Sequence, residues 1–146
     1  LGCPVGAVLA GSRDFIREAW HFKRMFGGAM RQTGVLTAMC LYALDHHVER
    51  LAEDHARAKR IETALEGCSL FARVLPVETN IVLAEISPAA ELSATELRDF
   101  LASKNVKVMA VGSNRIRMIT HLDADDAAVS RLIEGIEAAD TSLGHR

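Results

Sequence analysis

Apolar and polar positions alternate between three rhythms along this chain. Pro4 to Ala10 (PVGAVLA) is an almost unbroken apolar run closed by Gly11, which predicts a buried strand. Ser12 then offers a helix N-cap, with Asp14 in the first turn where the helix dipole favours an anion. Phe15, Ile16, Ala19 and Phe22 recur along one side, predicting a helix over about Arg13–Met25. Gly27-Gly28 stops it, because each glycine costs ~1 kcal/mol relative to alanine in a helix.

From Thr33 the rhythm is helical again. Val35, Leu36, Met39, Cys40 and Leu44 make a mostly apolar face, expected to be buried against something large. Beyond Asp45 the stripe narrows to Leu44, Val48, Leu51, Ala58, Ile61 and Leu65. Glu49, Arg50, Glu53, Asp54, Arg57, Lys59 and Arg60 are expected to face water, with Glu53–Arg57 a supporting i,i+4 pair. Gly67 is a natural stop. Either one helix of about 30 residues or two with a bend near His46-His47 fits this spacing.

The rest changes period repeatedly. Phe71 to Leu75 and Asn80 to Ile86 read as strands separated by Pro76. Ser93-Ala94-Thr95-Glu96 is a capping box opening a helix to about Ser103, with Asn105 as its terminus. Val106 to Val111 and Arg115 to Thr120 read as strands joined by Gly112-Ser113-Asn114, a hairpin signal. Asp123 is expected to cap a helix over about Ala124–Ala139, with Thr141 to Arg146 frayed. Strand, helix, strand, strand, helix predicts a small α+β unit with helices on one face of a mainly antiparallel sheet.

Composition narrows the function classes. The chain has 146 residues, 49% hydrophobic and 25% charged, which suffices for a real core. Lys+Arg total 17 against 19 Asp+Glu, a net charge of −2, so neither a broad basic face for nucleic acid nor an acidic tail is implied. The apolar stretch Val35–Leu44 is far short of the ~20 residues a membrane span needs. Three cysteines, Cys3, Cys40 and Cys68, cannot pair completely and have no C-x-x-C spacing, which reads as reduced thiols in a cytoplasmic setting. The chain opens Leu1-Gly2-Cys3-Pro4 with no Met and no signal-peptide pattern, and is expected to be the rear portion of something longer.

Candidate chemistry is sparse. His46 and His47 are adjacent and point apart on a helix, and no H-x-x-x-H pattern exists, so no metal site is expected. Asp54-His55 is not a dyad, because sequence neighbours on a helix do not face each other. Cys40 falls on the apolar face as a small core residue, and Cys3 borders a possible pocket. Gly27-Gly28-Ala29-Met30-Arg31 lacks every nucleotide-binding fingerprint. It is either a plain turn or, with Lys23, Arg24 and Arg31 near it, an anion clamp. Arg115-Ile116-Arg117-Met118-Ile119 places Arg115 and Arg117 on one strand face, either an exposed face or a clamp for a carboxylate.

Several strings together carry a family resemblance. Leu1-Gly2-Cys3-Pro4-Val5-Gly6-Ala7, Met25-Phe26-Gly27-Gly28-Ala29-Met30-Arg31-Gln32, Tyr42-Ala43-Leu44 through Leu51-Ala52-Glu53-Asp54-His55, Glu78-Thr79-Asn80 and Arg117-Met118-Ile119-Thr120-His121-Leu122-Asp123 resemble the low-specificity L-threonine aldolases. These are β-eliminating-lyase-type, fold-type-I pyridoxal-phosphate enzymes. The resemblance runs almost end to end.

It implies an α/β fold with an α+β small domain. Residues 1–32 would end the large cofactor-binding domain, 33–67 would be linking helices, and 68–146 would form the small C-terminal domain. It also implies a lyase that cleaves L-threonine, L-allo-threonine and other β-hydroxy amino acids to glycine and an aldehyde, in a cytoplasmic homo-oligomer, dimer or tetramer. Nucleic acid and membrane are not implied as partners.

The family's Schiff-base lysine lies in a Ser-Lys-Gly-Leu-Gly string and would stand two positions before Leu1. No catalytic residue is therefore expected within this chain, which would be inactive alone. Arg117 matches the substrate-carboxylate arginine, and Arg31 the arginine of the glycine loop near the cofactor phosphate. Arg24 is a further cofactor-binding candidate, although Lys23-Arg24 is swapped relative to many relatives. Ala29 replaces the usual third glycine, and Ala7 stands where relatives often have serine. The alternative from another class is a stand-alone, non-catalytic α+β module for small-molecule binding or oligomerisation.

Overall fold

Ser12 opens the first helix, α1 (Arg13–Met25), its hydroxyl accepting the Phe15 amide at 3.3 Å. The structure is a computed structural model that describes residues 1–143. It divides into two compact units, Leu1–Glu49 and Arg50 onward. The first contains α1 and α2 (Gly34–His46). The second contains α3 (Leu51–Glu66), β1 (Phe71–Val74), β2 (Ile81–Ile86), α4 (Ala94–Ser103), β3 (Met109–Val111), β4 (Arg115–Ile119) and α5 (Asp126–Leu143). A 3₁₀ turn at Pro88–Ala90 joins β2 to α4.

In the first unit α1 ends where Gly27 takes a φ of +74°, a conformation that glycine adopts without a side-chain penalty. Pro4 to Ala10 is not a strand. A strand exists only through its ladder, and this unit offers it no second strand among the described residues. The apolar α2 is likewise less covered than its pattern predicts. Ala43 is buried, Leu36, Met39 and Cys40 are half-buried, and Val35, Leu41 and Leu44 are exposed. Two helices rather than one span the stretch from Thr33 to Gly67. His47 closes α2 with its amide on the Ala43 carbonyl at 2.8 Å, and its Nδ1 donates to the Leu1 carbonyl at 2.6 Å.

The second unit is built on a four-stranded sheet of order β1-β2-β4-β3, antiparallel throughout. Period-2 alternation sends Val82, Ala84, Ile86, Ile116 and Met118 to one face, where they are buried. Ala58, Ile61 and Leu65 of α3, Leu97 and Leu101 of α4, and Val129 and Ile136 of α5 complete that core. The other face carries Leu83, Glu85, Arg115, Arg117 and Ile119, none of them fully buried. One face is roofed by helices and the other is open, as the strand and helix pattern predicts.

Local signals account for most boundaries. The capping box is complete: Ser93 Oγ accepts the Glu96 amide at 3.2 Å, and Glu96 accepts the Ser93 amide at 2.8 Å. Asn105, at φ +60°, ends the turn after α4. Four expectations in the second unit are corrected. β3 begins at Met109 rather than Val106, because the Val106 amide turns back to the Leu101 carbonyl at 3.0 Å. The α5 start is held by Asp125, whose carboxylate accepts the Ala128 amide at 2.7 Å, and not by Asp123. Thr141 to Leu143 continue α5, with the Thr141 hydroxyl on the Glu137 carbonyl at 3.0 Å; residues 144–146 lie outside the described residues.

The fourth correction concerns Asp54, which is 2% exposed instead of facing water. Its burial is sustained by a two-pronged pair with Arg50, at 2.9 and 3.0 Å. Its main-chain carbonyl also accepts the Thr120 hydroxyl at 2.7 Å, which ties the start of α3 to the end of β4. Among the described residues no helix is long and apolar enough to cross a membrane.

Candidate functional site

The open sheet face is where strand register separates two arginines that the sequence could not tell apart. Arg115 and Arg117 both lie on β4 and both face away from the helices. Register sets Arg115 opposite Glu85 of β2, and the pair closes at 2.9 Å from Nε and 2.6 Å from Nη2 to Glu85 Oε1. Register sets Arg117 opposite Leu83 of β2 and Met109 of β3. Neither neighbour can accept a hydrogen bond from a guanidinium in any strong sense.

Arg117 is half-buried and makes no ion pair or side-chain hydrogen bond among the described residues. Arg117 thus offers a planar fork of donors, flanked in register by two apolar residues on a strand paired along both edges, which is the donor geometry a carboxylate requires. Thr120, three residues on, anchors the end of that strand through its bond to Asp54.

Arg24 and Arg31 belong to the first unit and Arg117 to the second. Lys23 Nζ and the Arg24 guanidinium stack over Trp20, at 4.9 and 5.8 Å from the ring. Gly28 follows closely: a Cβ there would lie 3.2 Å from Lys23 Cγ and from the Lys23 carbonyl. Arg31 is exposed, with no ion pair among the described residues. The segment therefore carries three cations, Lys23, Arg24 and Arg31, within four residues in sequence of a main chain free of side chains at Gly27-Gly28. That donor set fits a phosphate.

Three of the four lysines are occupied with other contacts. Lys23 covers Trp20, Lys59 pairs with Glu62 at 2.8 Å, and Lys104 lies 5.9 Å from the Phe100 ring. Lys107 is exposed. None is the desolvated amine that a covalent anchor requires. The thiols are not activated either. Burial pushes the Cys68 thiol up to about 11, with Asp140 adding to the rise, and burial followed by the neighbouring Cys3 thiol raises Cys40. All three cysteines are free. No group of three His, Cys, Asp or Glu side chains is gathered for a metal ion among the described residues.

Sequence reasoning missed Glu85 as the partner that takes Arg115 out of contention, and Thr120 as the strand's anchor. Glu85 could have been found by aligning the two strands on their apolar positions. Thr120 sits in the Arg-x-x-Thr-His string but gives no local sign of its partner.

Solved structures that share this fold include transaminases. A transaminase with L-ala matches at TM-score 0.65 and 18% identity, over 90% of this chain and 35% of that one. An (S)-enantioselective omega-transaminase from Thermomicrobium roseum matches at TM-score 0.57 and 23% identity, over 75% of this chain and 27% of that one. The fold class is thus α/β of the fold-type-I kind, with an antiparallel sheet and covering helices in the second unit.

The family model described as beta-eliminating lyase matches residues 1–89, and the chain belongs to that family. The low specificity L-threonine aldolase of Escherichia coli (strain K12) is 38% identical over 123 residues, covering 84% of this chain and 35% of that protein. Low-specificity L-threonine aldolase 1 of Arabidopsis thaliana is 36% identical over 122 residues, 83% of this chain and 34% of that protein. The chain spans about a third of the length of these curated relatives.

Proposed function

We propose that this chain is the C-terminal region of a pyridoxal-phosphate-dependent L-threonine aldolase. In that reading residues 1–32 end the cofactor-binding domain, 33–67 link, and 68–146 form the small domain. The observation that carries it is Arg117: half-buried, without an ion-pair partner among the described residues, between Leu83 and Met109, beside an Arg115 already paired to Glu85. The family match and the two threonine aldolase relatives support the substrate class.

Arg31, with Arg24, would hold the phosphate of pyridoxal phosphate, which when bound supplies an electron sink for bond cleavage at an amino acid's Cα. Arg117 binds the substrate carboxylate through two parallel N–H donors. Fixing that group fixes the rotation about the N–Cα bond, and so selects the Cα bond presented for cleavage. For a β-hydroxy amino acid the bond selected is Cα–Cβ, giving glycine and an aldehyde. Misplacement by about 1 Å costs on the order of 10²-fold in rate.

In this reading the lysine that anchors the cofactor lies outside these 146 residues, and the unsuitability of Lys23, Lys59, Lys104 and Lys107 for that role supports it. The chain by itself is then inactive. The complete enzyme is a cytoplasmic homo-oligomer, and the exposed apolar side chains of α1 and α2, such as Phe15, Phe22, Leu41 and Leu44, support that assembly.

The complete protein, purified with its cofactor and given L-threonine or L-allo-threonine, is expected to release glycine and acetaldehyde. An active transaminase that releases neither from either substrate would overturn the proposal.

A further inference from the structure

The β3–β4 hairpin is unzipped at one end, and the gap is a cavity. Register pairs Met109 with Arg117, and two more residues of the same ladder would set Lys107 against Ile119. Instead Val106 turns back to the end of α4 with its amide on Leu101, and Asn105 takes a φ of +60°. Residues 105–108 therefore peel from β4, and α5 closes the opening from below. The result is a cavity of about 170 Å³ inside the second unit.

Its chemistry is one-sided. Val106, Val108, Met118, Val129 and Leu132 give it apolar walls. The ionisable side chains that line it are Lys107, His121 and Arg131, and no Asp or Glu lines it, although the chain as a whole has more acids than bases. Lys107 and Arg131 make no ion pair or side-chain hydrogen bond among the described residues. His121 Nδ1 accepts the Asp123 amide at 3.2 Å, which leaves Nε2 outside that contact.

Nearby carboxylates are engaged or turned outward. Asp125 takes the Ala128 amide at 2.7 Å, and Asp126 takes Arg57 at 3.2 Å and Arg60 at 3.3 Å. Asp123, 3.8 Å from His121, has a side chain 94% exposed. Ile119 adds polar main chain: the neighbouring Thr120 amide reaches Asn80 of the β2 side, so strand alternation turns the Ile119 N–H toward the gap.

We propose that this cavity is a binding site for a small aliphatic monocarboxylate, separate from the Arg117 face. The carboxylate meets Lys107 and Arg131 at the rim, and a short branched tail fills the apolar floor. The size fits, since a cavity of ~150 Å³ accepts a six-carbon ring and this one is slightly larger. The Arg117 face is different in kind: it lies on the opposite side of the sheet and is open.

The test is a methyl-resolved NMR titration of the complete protein with isovalerate. Saturable shifts are expected at Val106, Val108, Val129 and Leu132, with a Kd on the order of 1 mM for a ligand this small. Isoamylamine, of the same shape and opposite charge, is expected to leave those signals in place. Lys107→Gln and Arg131→Gln are changes at exposed positions and should each weaken binding about fivefold with an unchanged far-UV spectrum. The proposal is overturned by unsaturable shifts, by equal binding of the amine, or by shifts confined to Leu83 and Met109, which would assign the carboxylate to Arg117 instead.

Discussion

Replacing Asp54 with Asn tests how β4 is held in position. Asp54 is 2% exposed and accepts two bonds from Arg50, at 2.9 and 3.0 Å, while Arg57 lies 3.7 Å away. Its main-chain carbonyl takes the Thr120 hydroxyl at 2.7 Å, at the end of the strand that carries Arg117. Asparagine keeps one acceptor but turns an N–H₂ toward a guanidinium. One charge-assisted bond is lost, and the other keeps its charged donor but loses the carboxylate's charge. A charge-assisted bond contributes about 1.5–3 kcal/mol, so the expected loss is about 2 kcal/mol.

For a unit of this size that corresponds to a fall in Tm of roughly 8–16 °C. Trp20 and Tyr42, the chain's one Trp and one Tyr, are in the first unit, so far-UV circular dichroism rather than fluorescence must follow the second. Arg50→Met strands the carboxylate, whereas Arg50→Met with Asp54→Leu removes both charges. The double variant should be more stable than the two single changes predict by about 1 kcal/mol or more. Asp54→Asn within 0.5 kcal/mol of the parent, or strict additivity in the double variant, would refute this reasoning.

Two further outcomes follow from the same contacts. Glu62 is held below the usual carboxylate range by Lys59 and the Val77 amide, and Asp140 by the Ser69 hydroxyl and the Ser69 and Leu70 amides. Because both folded-state values are depressed, their stabilisation is fully present above about pH 4.5 and is lost as pH falls through the folded values. Thermal melts between pH 6 and 3 should show a falling Tm that Glu62→Gln with Asp140→Asn flattens; a parent Tm indifferent to acid would contradict it. The isolated chain should self-associate through α1 and α2, where Phe22 is 46% and Val35 71% exposed, so a monodisperse monomer in light scattering at high concentration would count against that.

What the sequence made legible is local. Ser12, the Ser93–Glu96 box, Gly67 and the Gly112-Ser113-Asn114 turn each act within a few residues, and each falls where the pattern puts it. The Asp54 correction shows why the rest was hidden. A charged residue on a helix reads as solvated unless its buried position and its partner are known, and burial is decided by the sheet it packs on. The Pro4–Ala10 run fails for a related reason, since a strand needs a partner that periodicity cannot supply. The site is intermediate. Alternation put Arg115 and Arg117 on one face, but only the cross-strand register, with Glu85 opposite one and Leu83 and Met109 opposite the other, separates the paired arginine from the free one.

The central claim rests on that separation and is tested most directly in the complete enzyme by two lysine substitutions. Arg117→Lys keeps the charge and loses the planar two-pronged contact, so kcat/KM for L-threonine should fall at least about tenfold, equivalent to ~1.4 kcal/mol of transition-state binding. Cofactor absorbance and Tm should stay near those of the parent. Arg115→Lys, on the same face about 7 Å along the strand and still able to pair with Glu85, should retain most activity. An Arg117→Lys enzyme as active as the parent, or greater harm from Arg115→Lys, would contradict the account.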